Sequence, residues 1–256
     1  MTADATLRQR LGSIALLIAL LAAWETASRV FGLSALVLPA PSVVVVSLWK
    51  GLASGYFWPH IRTTGVELVV GLAIGCLVGF GVGVVMAESR TLRGLLMPYV
   101  VVSQVVPKLA LMPLFIVWFG FGMTSTVVIT ALICFFPLME NTHTALRQVA
   151  PERLELFRML GATPMQTLWR LKLPSGLPGI LAGLRVAVVL ALIGAVVGEF
   201  IGTNQGLGAL IIASQGMMDT SLMFAVLVLI AALGMLVYEA TLALERWLLL
   251  PYTRAS

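Results

Sequence analysis

Charge is what this chain has least of. Only 11% of its 256 residues are Asp, Glu, Lys or Arg, against 60% hydrophobic, and the mean hydropathy is +1.04. A soluble domain carries about 25% charged residues. So little polarity cannot coat a water-facing globule, and lipid must be the solvent for most of the chain. Cysteine and histidine are scarce too. Cys76 and Cys134 lie within apolar runs, and His60 and His143 are the only histidines. Neither a CxxC pair nor a histidine cluster with ligand spacing exists, so no metal site is expected. The lysines are Lys50, Lys108 and Lys172, and none completes a GxxxxGK[ST] loop. A GxSxG elbow, an HExxH pair and paired carboxylates within one span are also missing. The chain is therefore expected to be no enzyme, to need no cofactor, and to leave any ATP hydrolysis to another chain.

What is present are long apolar runs. Six stretches of roughly 20 residues read as membrane spans: 11–27, 66–87, 95–117, 123–139, 177–201 and 222–244. The first follows Arg8 and Arg10 but lacks a small-x-small cleavage site, and it reads as a retained anchor. The net charge of +5 does not indicate nucleic acid, because the basic residues sit in short caps beside apolar runs. Those caps orient the bundle. With the N-terminus inside, the inner side receives Arg8, Arg10, Arg90, Arg93, Arg147, Arg153, Arg158, Arg170, Lys172, Arg246 and Arg254. The outer side keeps only Arg29, Lys50 and Arg62. The positive-inside rule then places both termini in the cytoplasm. Between the first two spans, 42–54 reads either as an interfacial helix opened by Pro41 or as an ordinary loop.

Small residues recur at helical spacing. Gly71, Gly75, Gly79 and Gly83 fall on one face of the second span. In the fifth, Gly179, Gly183, Ala187, Ala191 and Ala195 form one row, and Gly194, Gly198 and Gly202 another. Such faces let helix backbones approach closely in lipid. They serve static packing first, and sliding between two states second. Polar residues at membrane depth are few. Lys108 lies in the third span between Pro107 and Pro113, with Ser103 and Gln104 one turn earlier. A charge there must face protein or water, either in a translocation path or in an ion pair with Glu67 or Glu199. Glu199 lies near the outer end of the fifth span. Ser103, Gln104, Lys108 and Glu199 are the candidate path residues.

The richest polarity lies between the fourth and fifth spans. Glu152, Arg153, Glu155, Arg158, Arg170 and Lys172 all fall within 151–174. Gly161 divides this island into two helical pieces, as a C-terminal cap to the first. Thr163 and Pro164 suit the N-cap and first position of the second.

These residues resemble the EAA loop of permease subunits of bacterial ABC importers, the binding-protein-dependent transport family. Glu155 stands at the motif's acidic position, Gly161 at its glycine, and Leu171, Leu173 and Pro174 at its I-x-L-P end. Leu156 and Phe157 replace the two alanines. Further blocks at 38–42 (LPAPS), 113–122 (PLFIVWFGFG) and 194–211 (GAVVGEFIGTNQGLGALI) are similar to the nitrate/sulfonate/taurine branch. The likeness covers roughly 35–245.

The resemblance implies an all-α membrane protein with the type I, MetI-like importer fold. One permease domain would fill 1–256, with a core at 60–245 and a coupling loop at 147–174. Glu152, Glu155, Leu156, Phe157, Leu160, Gly161, Ala162 and Pro164 would contact a cytoplasmic ABC ATPase dimer. A second permease copy, giving a homodimer, and an external substrate-binding protein complete the implied assembly in the bacterial inner membrane. Its cargo would be a small organic or anionic solute: a sulfonate, an aromatic acid, or a pyrimidine- or riboflavin-like molecule. Lys108 favours an anion, while the 103–115 block looks closer to the pyrimidine and flavin permeases. The rival reading is a stand-alone secondary transporter with a coupling-ion site near the midplane.

Overall fold

Apolar runs of these lengths leave the backbone one way to satisfy its hydrogen bonds in lipid, and the described chain is helical almost throughout. The computed structural model describes residues 2–30, 34 and 36–253, with side chains described for 11–30, 34 and 36–250. Arg254 lies outside the described residues, and so do the side chains of Arg8 and Arg10. In chain order the helices are α1 (Thr2–Val30), α2 (Pro41–Ala53), α3 (Trp58–Glu88), α4 (Arg90–Val105) and α5 (Met112–Phe119). They continue with α6 (Met123–Arg147), α7 (Pro151–Met159), α8 (Pro164–Thr167), α9 (Leu173–Gly202), α10 (Leu207–Gly216) and α11 (Thr220–Thr253). Five of the long apolar segments can cross a membrane unbroken, and α4 with α5 supplies a sixth crossing only as a bent pair.

The centre is a layer in which α6 packs between α3 and α9, and glycine decides how closely. A Cβ added at Gly75, Gly79 or Gly83 would come within 2.5–2.6 Å of a backbone oxygen of α6, that of Ala131, Phe135 or Met139. On the other side, a Cβ at Gly194 or Gly198 would lie 3.0–3.1 Å from atoms of Thr130, Ile129 or Thr126. Both faces are thus in backbone contact with α6, the static packing expected of such rows.

The third expected span, 95–117, is broken where its two prolines stand. It is not one helix but α4 and α5, inclined at 85° across a 3-10 turn, Lys108–Leu111. The cause is local. Pro107 offers no N–H and forces Val106 into extended backbone (φ −70°, ψ 123°), which ends α4. Pro113, in the first turn of α5, restarts the helix where its missing donor costs nothing.

At the end remote from the polar island, 202–221 contains α10. Phe57, fully buried, joins Val44 of α2, Leu207 and Leu210 of α10 and Val226 of α11 in one cluster. The segment 42–54 is therefore helical, as α2, with Pro41 in its first turn. By contrast α1 stands apart, its Leu16, Leu17, Ile18 and Leu20 all exposed. It touches the rest through Trp24 against Phe224 and through Glu25, which accepts from the Ser42 hydroxyl and amide.

Candidate functional site: the polar island and the broken span

The island is a short helix–turn–helix held by its own caps. Leu160 ends α7, and Gly161 follows at φ +69°, a left-handed conformation that costs a side-chain-bearing residue. Gly161 N–H donates to the Arg158 carbonyl and Ala162 N–H to that of Phe157, both at 3.0 Å. These two bonds complete a Schellman closure. Thr163 then opens α8: its hydroxyl accepts from Gln166 N–H at 3.2 Å, while the Gln166 side chain accepts from Thr163 N–H at 2.9 Å. That reciprocal box stops both orphan donors from fraying. Gly161, Thr163 and Pro164 do what their spacing predicts; the part played by Gln166 was legible as T-x-x-Q and went unread.

So rigid a turn buries almost nothing. No residue of α7 or α8 is buried, and Glu152 and Glu155 are exposed. Leu156, Met159, Leu160, Met165 and Trp169 are exposed by 54% to 87%. Phe157 and Ala162 are half-buried. Apolar side chains on a polar, pre-formed surface mark a contact face. The island is anchored at its base. There Leu168 joins Leu138, Leu146 and Ile180, and Lys172 pairs with Glu88 of α3 at 2.7 Å. A cleft of about 430 Å³ opens between the end of α6 and the start of α9, lined by Gln148, Arg153, Ser175 and Pro178.

The break between α4 and α5 forms the second feature. Gln104 and Lys108 line one cavity of about 360 Å³ with Ile133, Phe136, Leu190 and Ile193. Lys108 Nζ donates to Gln104 Oε1 at 3.2 Å. Ser103 is not brought to this cavity: its hydroxyl donates to the Val100 carbonyl at 2.7 Å. Nor does an ion pair form with Glu67 or Glu199. Among the described residues the salt bridges are Arg29–Glu25, Lys172–Glu88 and Arg185–Glu245.

Glu199 lies elsewhere, fully buried, as the hub of the remote end. Its Oε1 accepts from the Thr64 hydroxyl at 2.6 Å and its Oε2 from Gly208 N–H at 2.5 Å. Thr64 in turn accepts from Leu207 N–H at 2.8 Å, and Gly206 N–H donates to His60 Nδ1 at 3.2 Å. The carboxylate thus caps α10 and ties it to α3. Glu67, equally buried, lies beside Glu199 with no hydrogen-bond donor of its own among the described residues. Arg185 was overlooked in sequence because it interrupts a long apolar run; it pairs with Glu245 of α11 at 3.2 Å.

An all-helical bundle with one broken span and an exposed, capped helix–turn–helix defines a transport permease of the type I importer fold. The chain belongs to the family described as the binding-protein-dependent transport system inner membrane component, which it matches over residues 71–249. It is 36% identical to the riboflavin transport system permease protein RibX of Chloroflexus aurantiacus, over 93% of this chain and 89% of that one. It is 35% identical to the formylaminopyrimidine transport permease protein ThiX of Halalkalibacterium halodurans, over 92% and 93% respectively. The taurine permease protein TauC of Escherichia coli is 32% identical over 93% and 89%. The inward-facing MetNI methionine ABC transporter shares the fold, with a TM-score of 0.66 and 22% identity over 76% of this chain and 98% of that one. The expected branch, fold and class are all met. The chain is a multi-pass membrane permease of the ABC importer class.

Proposed function

We propose that this permease carries a small solute across the inner membrane by using its polar island as the lever for a separate ATPase. Glu152, Glu155, Leu156, Phe157, Leu160, Gly161, Ala162 and Pro164 form the face that enters the ATPase cleft. The basic caps support placing both termini and the island in the cytoplasm. ATP binding closes two ATPase subunits and draws two islands together, one from each permease copy of a homodimer. Each island tilts its bundle through the base at Leu168 and Lys172, and the path past Gln104 and Lys108 opens toward an external binding protein. Hydrolysis reverses the motion, so the energy gap between the two packings stays small. Ser103, bonded to Val100, and Glu199, at the remote end, lie outside that cavity. The single domain spans the whole chain, with the lever at 147–174.

One observation carries this reading: the exposed apolar side chains stand on a turn whose caps are complete, so their shape exists before any partner arrives. Pre-formed surfaces bind without an ordering cost. The test is Leu160→Asp, a change at a side chain exposed by 74%. It should leave the permease inserted and folded, while a co-expressed ATPase no longer purifies with it and uptake stops. Retention of the ATPase and of uptake would overturn the lever. The rival, transport by this chain alone on an ion gradient, predicts uptake that an uncoupler abolishes while ATP remains.

A further inference from the structure

Lys108 is a half-buried cation beside the broken span that no carboxylate pairs among the described residues. Its cavity is walled by Ile133 and Phe136 from the middle of α6 and by Leu190 and Ile193 from the middle of α9. Those neighbours set its depth at mid-bundle, far from both ends. A charged side chain at that depth costs about 2.5–3.5 kcal/mol on insertion scales, and such charges ordinarily pair. Two other cations, one within α9 and one at its start, offer the comparison: Arg185 has Glu245, and Lys172 has Glu88. Among the described residues Lys108 has only the neutral amide oxygen of Gln104. No carboxylate reaches it among the described residues. Glu199 is committed to Thr64 and Gly208, and Glu67 lies beside Glu199 at the remote end. Glu140, one turn on from Phe136, accepts from the Thr144 hydroxyl without pairing with Lys108.

The backbone adds to the imbalance. The chain is broken here by Pro107, and irregular backbone at membrane depth persists where it borders protein or a wet cavity. The lip of the cavity therefore combines an ammonium that has spent one of three donors with an amide that carries two more. A donor-rich, cationic lip in an apolar hollow fits an acceptor-only group with negative charge.

We propose that Lys108, oriented by Gln104, is the specificity-determining counter-charge that receives a carboxylate or sulfonate group of the cargo as it passes the broken span. This rests on the reading of the break as the translocation path. The Gln104 bond holds Lys108 turned toward the cavity while it is empty. An arriving anion replaces a neutral acceptor with a charged one, then leaves when the bundle tilts, so the site is transient.

The test needs no knowledge of the cargo. In Gln104→Cys permease, held in membrane vesicles with its ATPase, the new thiol reports the field one turn from Lys108. Its reaction rates with 2-sulfonatoethyl and 2-(trimethylammonium)ethyl methanethiosulfonate are measured with and without ATP, each relative to a free thiol. The unsubstituted protein corrects for Cys76 and Cys134. A lysine that merely activates the thiol speeds both reagents alike, so the ratio isolates the field. The anionic reagent should be preferred about tenfold or more, the scale of one unit charge a few ångströms away in a partly aqueous site. Adding Lys108→Gln should bring the ratio close to one. Equal rates with Lys108 present, or a preference that survives Lys108→Gln, would overturn the counter-charge and leave the path intact. No reaction with either reagent in any nucleotide state would instead sink the path itself, and the counter-charge with it.

Discussion

Two acidic residues in this charge-poor chain have opposite fates. Glu199 is fully buried, with the Thr64 hydroxyl and the Gly208 amide directed at its oxygens. Glu155 is exposed on a helix that buries nothing. The remote end spends its polarity inward, clamping α10 to α3 and α9. The island turns its polarity outward and keeps its shape by local caps, the Schellman closure at Gly161 and the Thr163–Gln166 box. A residue committed to internal partners is a structural part, and one left over by a completed local structure is offered to another molecule. On that difference, mutations at the remote end should cost folding, and mutations in the island should cost only transport.

The largest effect on stability is expected for Glu199→Ala. It strands two buried donors, and each such group costs about 1–3 kcal/mol when left unpaired. Thermal unfolding in detergent should drop sharply, and the yield of inserted protein with it. Glu199→Gln should be milder. One amide oxygen still accepts, and the amide N–H2 group can donate to the otherwise unserved Glu67. If Ala and Gln unfold at the wild-type temperature, the clamp is decorative and the contrast fails.

Gly161→Val comes next and sharpens the contrast from the island's side. A side chain there meets open space but must adopt φ +69°. The left-handed region costs about 1–2 kcal/mol, more for a β-branched residue. Because nothing packs on the turn, that strain should re-aim α7 and leave the bundle folded: uptake lost, unfolding temperature nearly unchanged. Gly161→Asn tolerates the same backbone and should retain most uptake. Equal loss in both variants would mean that the glycine's smallness, not its conformation, is what the ATPase reads.

How much of this was legible beforehand follows from the same division. The spans, the island and its caps are local: hydropathy, Gly161 and Thr163–Pro164 each act within a few residues of themselves. The EAA-like spacing from Glu155 to Pro174 survives as geometry because caps fix it. The partners of Lys108 were not legible. Two carboxylates within apolar spans invited an ion pair, but α9 directs Glu199 at the α10 amides, and composition carries no such direction. The break in the third span was visible as two prolines, but its 85° bend was not, since a proline marks where a helix stops and not where the next one points. Arg185 escaped notice because one arginine barely lowers the hydropathy of so long a run.

The smallest expected effect tests the joint between the two regimes. Lys172 and Glu88 pair at 2.7 Å, with side chains 18% and 28% exposed, linking the exit of the island to the end of α3. Partly exposed pairs contribute about 0.2–1 kcal/mol. A double-mutant cycle with Lys172→Gln and Glu88→Gln should therefore show a coupling below about 1 kcal/mol in thermal unfolding. On the proposed lever its kinetic consequence is larger in kind, since the pair would carry the pull of a displaced island to α3. Each single variant should hydrolyse ATP in the assembled transporter at near the wild-type rate while moving fewer solutes per ATP. Charge reversal at both positions, Lys172→Glu with Glu88→Lys, should restore that ratio. If transport per ATP is unaffected in the single variants, the pull travels through the buried contacts of Leu168 instead, and the island's base belongs with the packed half of the molecule.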